Sequence, residues 1–218
     1  MRSSRSLGVS LWALVAVMFS SQAASACLIT YTGHLSSCNG GLSGTGAWIT
    51  EGSTLDWTVT NNGTGPWHYE YTLSVPKGHV SHLIIEVSDE FTECDILNPD
   101  GPFRDIEIQT YHEDPSNPFM PGEIHGIKFD KVRGKTVQIS FDSWQIPVWG
   151  DFYAKDGKAG GELNVAFNSG FTSGDVDPIT PAASGSWNNH ILVPDTVIPE
   201  PATLLLLGLG VYLLRRRR

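Results

Sequence analysis

Basic residues are scarce in this chain. Only 14 of its 218 residues are Lys or Arg, and six of these sit at the ends, as Arg2, Arg5, Arg215, Arg216, Arg217 and Arg218. Residues 27–198 keep 8 basic groups against 22 acidic ones, which would repel a phosphate backbone and excludes nucleic acid as a partner. No apolar run reaches the roughly 20 residues of a comfortable membrane span; the two longest, Leu7–Phe19 and Ala202–Leu214, have 13 each. Between them no stretch keeps a 3.6-residue repeat with caps, which excludes a helical body, and no internal repeat argues for a solenoid. Nucleophile signatures are missing too: there is no G-x-S-x-G and no cysteine in a protease motif. No catalytic residue is therefore assigned, and no cofactor is called for.

What is present at the ends is organised. Arg2 and Arg5 precede the apolar run Leu7–Phe19, and Ala24-Ser25-Ala26 follows it. A positive n-region, a short apolar core and an A-x-A site predict a signal peptide over residues 1–26, cut by signal peptidase after Ala26. Cleavage would leave Cys27 first, but Ala24 stands where a lipobox wants a Leu-like residue, so lipidation is the lesser alternative. At the other end Pro199-Glu200-Pro201 precedes Ala202–Leu214 and then Arg215 to Arg218. The prolines resist helix, the apolar run predicts a short transmembrane helix of about 20 Å, and the arginines form a cytoplasmic stop.

This tripartite end resembles the PEP-CTERM sorting signal, carried by exported proteins of Gram-negative bacteria that make exopolysaccharide. The resemblance covers residues 197–218. It implies an exosortase-type partner acting near Pro199, Glu200 and Pro201, with the chain held in the inner membrane before processing and then delivered to the cell surface or matrix. The body resembles those of uncharacterised PEP-CTERM proteins through Val80–Ser88 and Pro147–Tyr153, and that resemblance implies no activity.

The body alternates with period two. Leu55, Trp57 and Val59 alternate with polar residues, as do Trp67, Tyr69, Tyr71, Leu73 and Val75, and Asn61–Pro66 between them predicts a hairpin. Val137, Ile139 and Phe141, and Leu163, Val165 and Phe167, predict two more strands, while Leu83-Ile84-Ile85 predicts one buried on both faces. Residues 28–34, 45–50, 105–112, 125–130, 147–154 and 190–193 complete about ten short strands. The expected fold is all-β: a β-sandwich over residues 27–193, with a jelly roll as one arrangement, followed by a linker and sorting signal over 194–218.

Three thiols outlast the signal peptide: Cys27, Cys38 and Cys94. Export permits a disulfide, with Cys38–Cys94 the first candidate and Cys27–Cys38 the second. His79 and His82 read as exposed turn histidines, and His112-Glu113-Asp114, followed by Pro115, reads as a loop. No metal site is assigned; for calcium the best loops are Asp175-Val176-Asp177 and Asp151–Gly157, and neither carries a full ligand set. Trp57 and Tyr71 read as core, Trp149 and Trp187 as exposed. The leading functional expectation is an exported surface or matrix protein without catalytic activity. A polysaccharide-binding module, which would touch exopolysaccharide, is the first alternative, and a carbohydrate-active hydrolase the second.

Overall fold

A computed structural model describes residues 27–157, 163–172, 177–178 and 180–195. The expected signal peptide with Ala24 and Ala26, and the C-terminal segment with Pro199, Glu200, Pro201 and Arg215 to Arg218, lie outside the described residues. The strands, numbered β1 to β13 in chain order, form an all-β sandwich. One sheet has the order β1 (Ile29–Ser36), β3 (Thr54–Asn61), β4 (Trp67–Ser74), β9 (Thr136–Ser143) and β6 (Leu97–Asp100). The other has the order β2 (Leu42–Thr45), β12 (Val165–Asn168), β11 (Phe152–Asp156), β5 (Val80–Glu86), β8 (Ile124–Asp130) and β7 (Asp105–Tyr111). A separate pair, β10 (Ile146–Gly150) and β13 (Ile191–Asp195), flanks them.

The alternating residues do what their period predicts. Leu55, Trp57 and Val59 on β3, Tyr69, Tyr71 and Leu73 on β4, and Val137, Ile139 and Phe141 on β9 are all buried, facing Leu83, Ile85, Ile127, Phe129 and Phe152 of the opposite sheet. Phe129 and Phe141 meet at 5.9 Å, and Phe141 stacks on Tyr69 at 5.5 Å, so aromatic contacts join the two layers. The phenols of Tyr69 and Tyr71 donate to the carbonyls of Gln145 and Leu192, each at 2.8 Å, and so fasten the β10–β13 pair to the sandwich. Leu83, Ile84 and Ile85 are each fully buried, as a continuous apolar run requires. Ile84 points away from the main core into a second cluster with Tyr111, Met120, Ile124, Tyr153 and Phe171, beneath the β7–β8 connection.

Three strand expectations change. Residues 45–50 divide: β2 ends at Thr45, Gly46 turns with φ of 69°, and Ala47–Thr50 form one helical turn. There Trp48 is buried and its Nε1 donates to the Lys77 carbonyl at 2.7 Å, a bond a strand would not make. Residues 147–154 divide at Asp151, since β10 pairs with β13 while β11 pairs with β5 and β12. The last strand runs to Asp195, two residues past 193, because Pro194 and Asp195 stand opposite Pro147 and Ile146.

The Cys38–Cys94 bridge is not made; all three cysteines are exposed and unbridged. Cys38 follows β1 and Cys94 precedes β6, and these are opposite edges of the five-stranded sheet. Four strand spacings of about 4.8 Å separate them, roughly 19 Å, against the ~7 Å limit between bridged Cα atoms. The register also places Leu97 level with Thr30, whereas Cys38 lies beyond Ser36 at the other end. Cys27 and Cys38 flank the whole length of β1, which excludes that pair as well. All three thiols of the exported chain are therefore expected to react with a thiol reagent without prior reduction; a count of one would restore a disulfide.

Candidate functional site

Asp151 occupies the corner at which the chain leaves one sheet for another. Its backbone N–H donates to Glu86 Oε2 at 2.6 Å, and its carboxylate accepts from the Asn168 side-chain amide. Asn168 in turn accepts the Phe152 N–H at 2.9 Å, so β12 fixes both the corner and the direction of the Asp151 carboxylate. His190, in the turn leading into β13, and Asp177, ahead of the last strand, reach the same point. The ligating atoms of Asp151, Asp177 and His190 all lie within 4.8 Å of one another, and Asp151 and His190 are both 3% exposed.

This cluster opens onto the outer face of the six-stranded sheet. A cleft of about 590 Å³ is lined by Glu86, Glu113, Glu123, Asp151 and Asp177 together with His112, and a second of about 370 Å³ by Glu86, Asp89, Glu123, Asp177 and Asp195. No Lys or Arg is among the residues lining either. Burial raises the Glu86 carboxyl most, the Asp177 and Asp151 charges add to it, and against the pull of the Asp151 N–H it is pushed up to about 9.

Asp177 also lines a third opening, a groove of about 550 Å³ between the β10–β13 pair and one end of the five-stranded sheet. There Tyr31 of β1 and Trp67 of β4, on either side of β3, stack with centroids 6.0 Å apart and planes 14° from parallel. The far wall carries Trp149, Thr180 and Asp195. Trp149 Nε1, Thr180 Oγ1 and Asp195 Oδ1 are buried and lack any hydrogen-bond partner. An unmatched buried polar atom costs about 1–3 kcal/mol, so three around one groove are an exception worth explaining.

The residues singled out from sequence scatter. Of the two calcium loops, Asp151–Gly157 is mostly strand β11, and its Asp156 is turned to Asn164, whose Nδ2 donates to it at 2.6 Å. Asp177 of the other loop meets Asp151 instead; Asp175 and Val176 lie outside the described residues. His79 is exposed as expected, but His82 is 2% exposed, on β5 against the Tyr153 ring. His112 and Glu113 are exposed at the cleft. Trp57 and Tyr71 are core and Trp187 is half exposed, whereas Trp149 is 3% exposed because β13 pairs over its strand. Sequence reasoning missed His190, Glu86 and the Tyr31–Trp67 pair; only the aromatics left a signal, in the alternation of β4.

No helix among the described residues is long and apolar enough to cross a membrane, and the 202–214 segment is not among them. No curated protein and no solved structure proved similar to the chain. At its C-terminal end, residues 197–218 match the PEP-CTERM protein-sorting motif, which supports an exported chain directed by a C-terminal signal.

Proposed function

We propose that the protein binds polysaccharide at the cell surface or in the surrounding matrix, where an exosortase-type enzyme delivers it through the C-terminal signal. The observation that carries the binding reading is the groove itself, with the stacked Tyr31–Trp67 pair on its wall and Asp177 and Asp195 among its lining residues. A sugar ring offers an apolar face to the aromatic pair and hydroxyl groups to the acidic side chains that line the groove, Asp177 and Asp195. Asp177 and Asp195 line the groove and no Lys or Arg does, which favours a neutral glycan over a uronic acid polymer. The protein acts here by holding its ligand rather than by converting it.

The test is binding of the purified exported chain to arrayed neutral and acidic polysaccharides, with reducing ends measured in the same samples. Trp67→Ala should weaken binding to a neutral glycan by about 30-fold, the loss of one aromatic anchor worth about 2 kcal/mol. Trp187→Ala, exposed and away from the groove, should leave it unchanged. No glycan bound, or equal affinity in Trp67→Ala, overturns the groove reading. Release of reducing ends would instead favour a hydrolase using the carboxylate-lined cleft.

A further inference from the structure

One end of the sandwich carries an apolar rim that the core does not use. Trp144, in the turn from β9 to β10, is 64% exposed, and Ile146, the first residue of β10, is exposed close by. Leu28, 68% exposed, and Ile29 stand at the start of β1. The register sets all four at the same end: Ile29 is opposite Asn61, Thr60 opposite His68, and Trp67 opposite Ser143, the residue before Trp144. β1 and β9 lie three strand spacings apart, so the rim runs for about 14 Å. Among the described residues six large apolar side chains are exposed, and four of them sit here, which makes a patch rather than scatter.

The chain leaves the body at the same end. Asp195, the last residue of β13, stands opposite Ile146. Only residues 196–201 separate it from the apolar run that begins at Ala202. Seven Cα steps span at most about 25 Å, so the rim is never far from the surface that holds that run. A tether this short gives the held end an effective concentration in roughly the millimolar range, at which a weak contact suffices. Charge agrees with that orientation. The exposed basic residues Lys77, Arg104, Lys131, Arg133 and Lys135 lie in the connections at the opposite end, while Asp142 and Asp195 flank the rim. A zwitterionic headgroup layer suits such a rim better than an anionic one.

We propose that, while the chain is anchored through residues 202–214, this rim rests on the outer surface of the bilayer, with Trp144 at the level of the headgroups and Leu28, Ile29 and Ile146 beside it. Tryptophan suits that depth, because its ring is apolar and its N–H finds a partner among the headgroups. The contact belongs to the anchored chain: cutting near Pro199 removes the tether, and with it the local concentration that sustains a weak contact. It goes beyond the glycan reading and does not rest on it.

The exported chain, residues 27–218, is reconstituted uncut in phosphatidylcholine vesicles with and without brominated acyl chains, which quench tryptophan on contact. Of the seven tryptophans, Trp12 lies in the expected signal peptide and none lies in 197–218, so all emission comes from six residues of the body. Brominated lipid is expected to quench roughly a sixth of it, the share of one residue in six. Trp144→Phe should abolish the quenching. Trp187→Phe, at the far end of the β10–β13 pair, should preserve it. Both side chains are exposed, so neither change touches the core. Emission indifferent to bromine, or quenching that survives Trp144→Phe, overturns the proposal. Two chains cross-linked through the rim on the same vesicles would also overturn it and give the face to a second copy. Because no sugar is present, failure here is separate from any failure of glycan binding.

Discussion

Between pH 6.5 and pH 3 the protein is expected to lose roughly 4–5 kcal/mol of stability through His82 alone. The imidazole sits on the outer face of β5, where burial is the main force holding its pKa down to about 3. The Lys128 and Lys155 charges add to that, while Asp130 and Asn117 pull weakly the other way. In the unfolded chain the ring takes a proton near 6.5, whereas in the folded chain it stays neutral until about 3. Below 6.5 the unfolded state therefore binds more protons, so stability falls as pH falls, and the full loss is reached once pH passes the folded value. Glu86 works in the opposite sense: its folded pKa is raised, so acidification from about 9 toward 4.5 stabilises the fold. The wild-type profile mixes both, and the difference between wild type and His82→Gln isolates the histidine. Denaturant unfolding at pH 7 and pH 4 should show wild type losing about 3 kcal/mol more than the variant over that interval. Parallel profiles would mean that the ring is protonated inside the fold, and the burial argument would fail.

That histidine also illustrates where sequence reading stops. The strand of His82 was legible, because Leu83-Ile84-Ile85 demanded two covered faces. Nothing local said that the residues after Tyr111 would fold back over its outer face, so a polar residue beside a turn was read as exposed. Trp149 fails for the same reason: burial depends on β13, whose Leu192 stands opposite it 43 positions later. The hairpin of β3 and β4, with Trp57 and Tyr71 in the core, was legible because alternation and a Gly-containing loop are local signals. The site was not. Asp151 and Asp177 were each noticed as loop acids, but their meeting with His190 rests on the chain changing sheets at Asp151, and the apolar and aromatic residues on either side, Pro147–Trp149 and Phe152-Tyr153, hide that break. The Cys27–Cys38 alternative failed because flanking one strand suggests nearness in sequence, while an extended strand keeps its ends as far apart as the chain allows, and Cys38–Cys94 failed because no local signal places β1 and β6 at opposite edges of one sheet.

The sorting signal was legible in full because it is read as a linear motif, and it gives the largest expected effect. A plain anchor needs an apolar span and a basic stop, which Leu204 to Arg218 supply. It should be indifferent to Glu200→Gln, a change that leaves shape and hydrophobicity of the span untouched. A processing enzyme that recognises the extended Pro199-Glu200-Pro201 segment would lose a charged hydrogen bond, typically worth about 1.5–3 kcal/mol, or about 10- to 150-fold in the rate of cutting. Cutting competes with retention in the membrane, so a defect of that size is expected to move most of the protein from one fraction to the other. In the native host the wild-type chain should be shortened at its C-terminus and leave the membrane fraction, while Glu200→Gln accumulates uncut within it. The mass of the mature chain and its distribution between fractions decide the matter. If wild type and variant both stay full length and membrane-bound, the segment is only an anchor, and delivery to the surface or matrix needs another route.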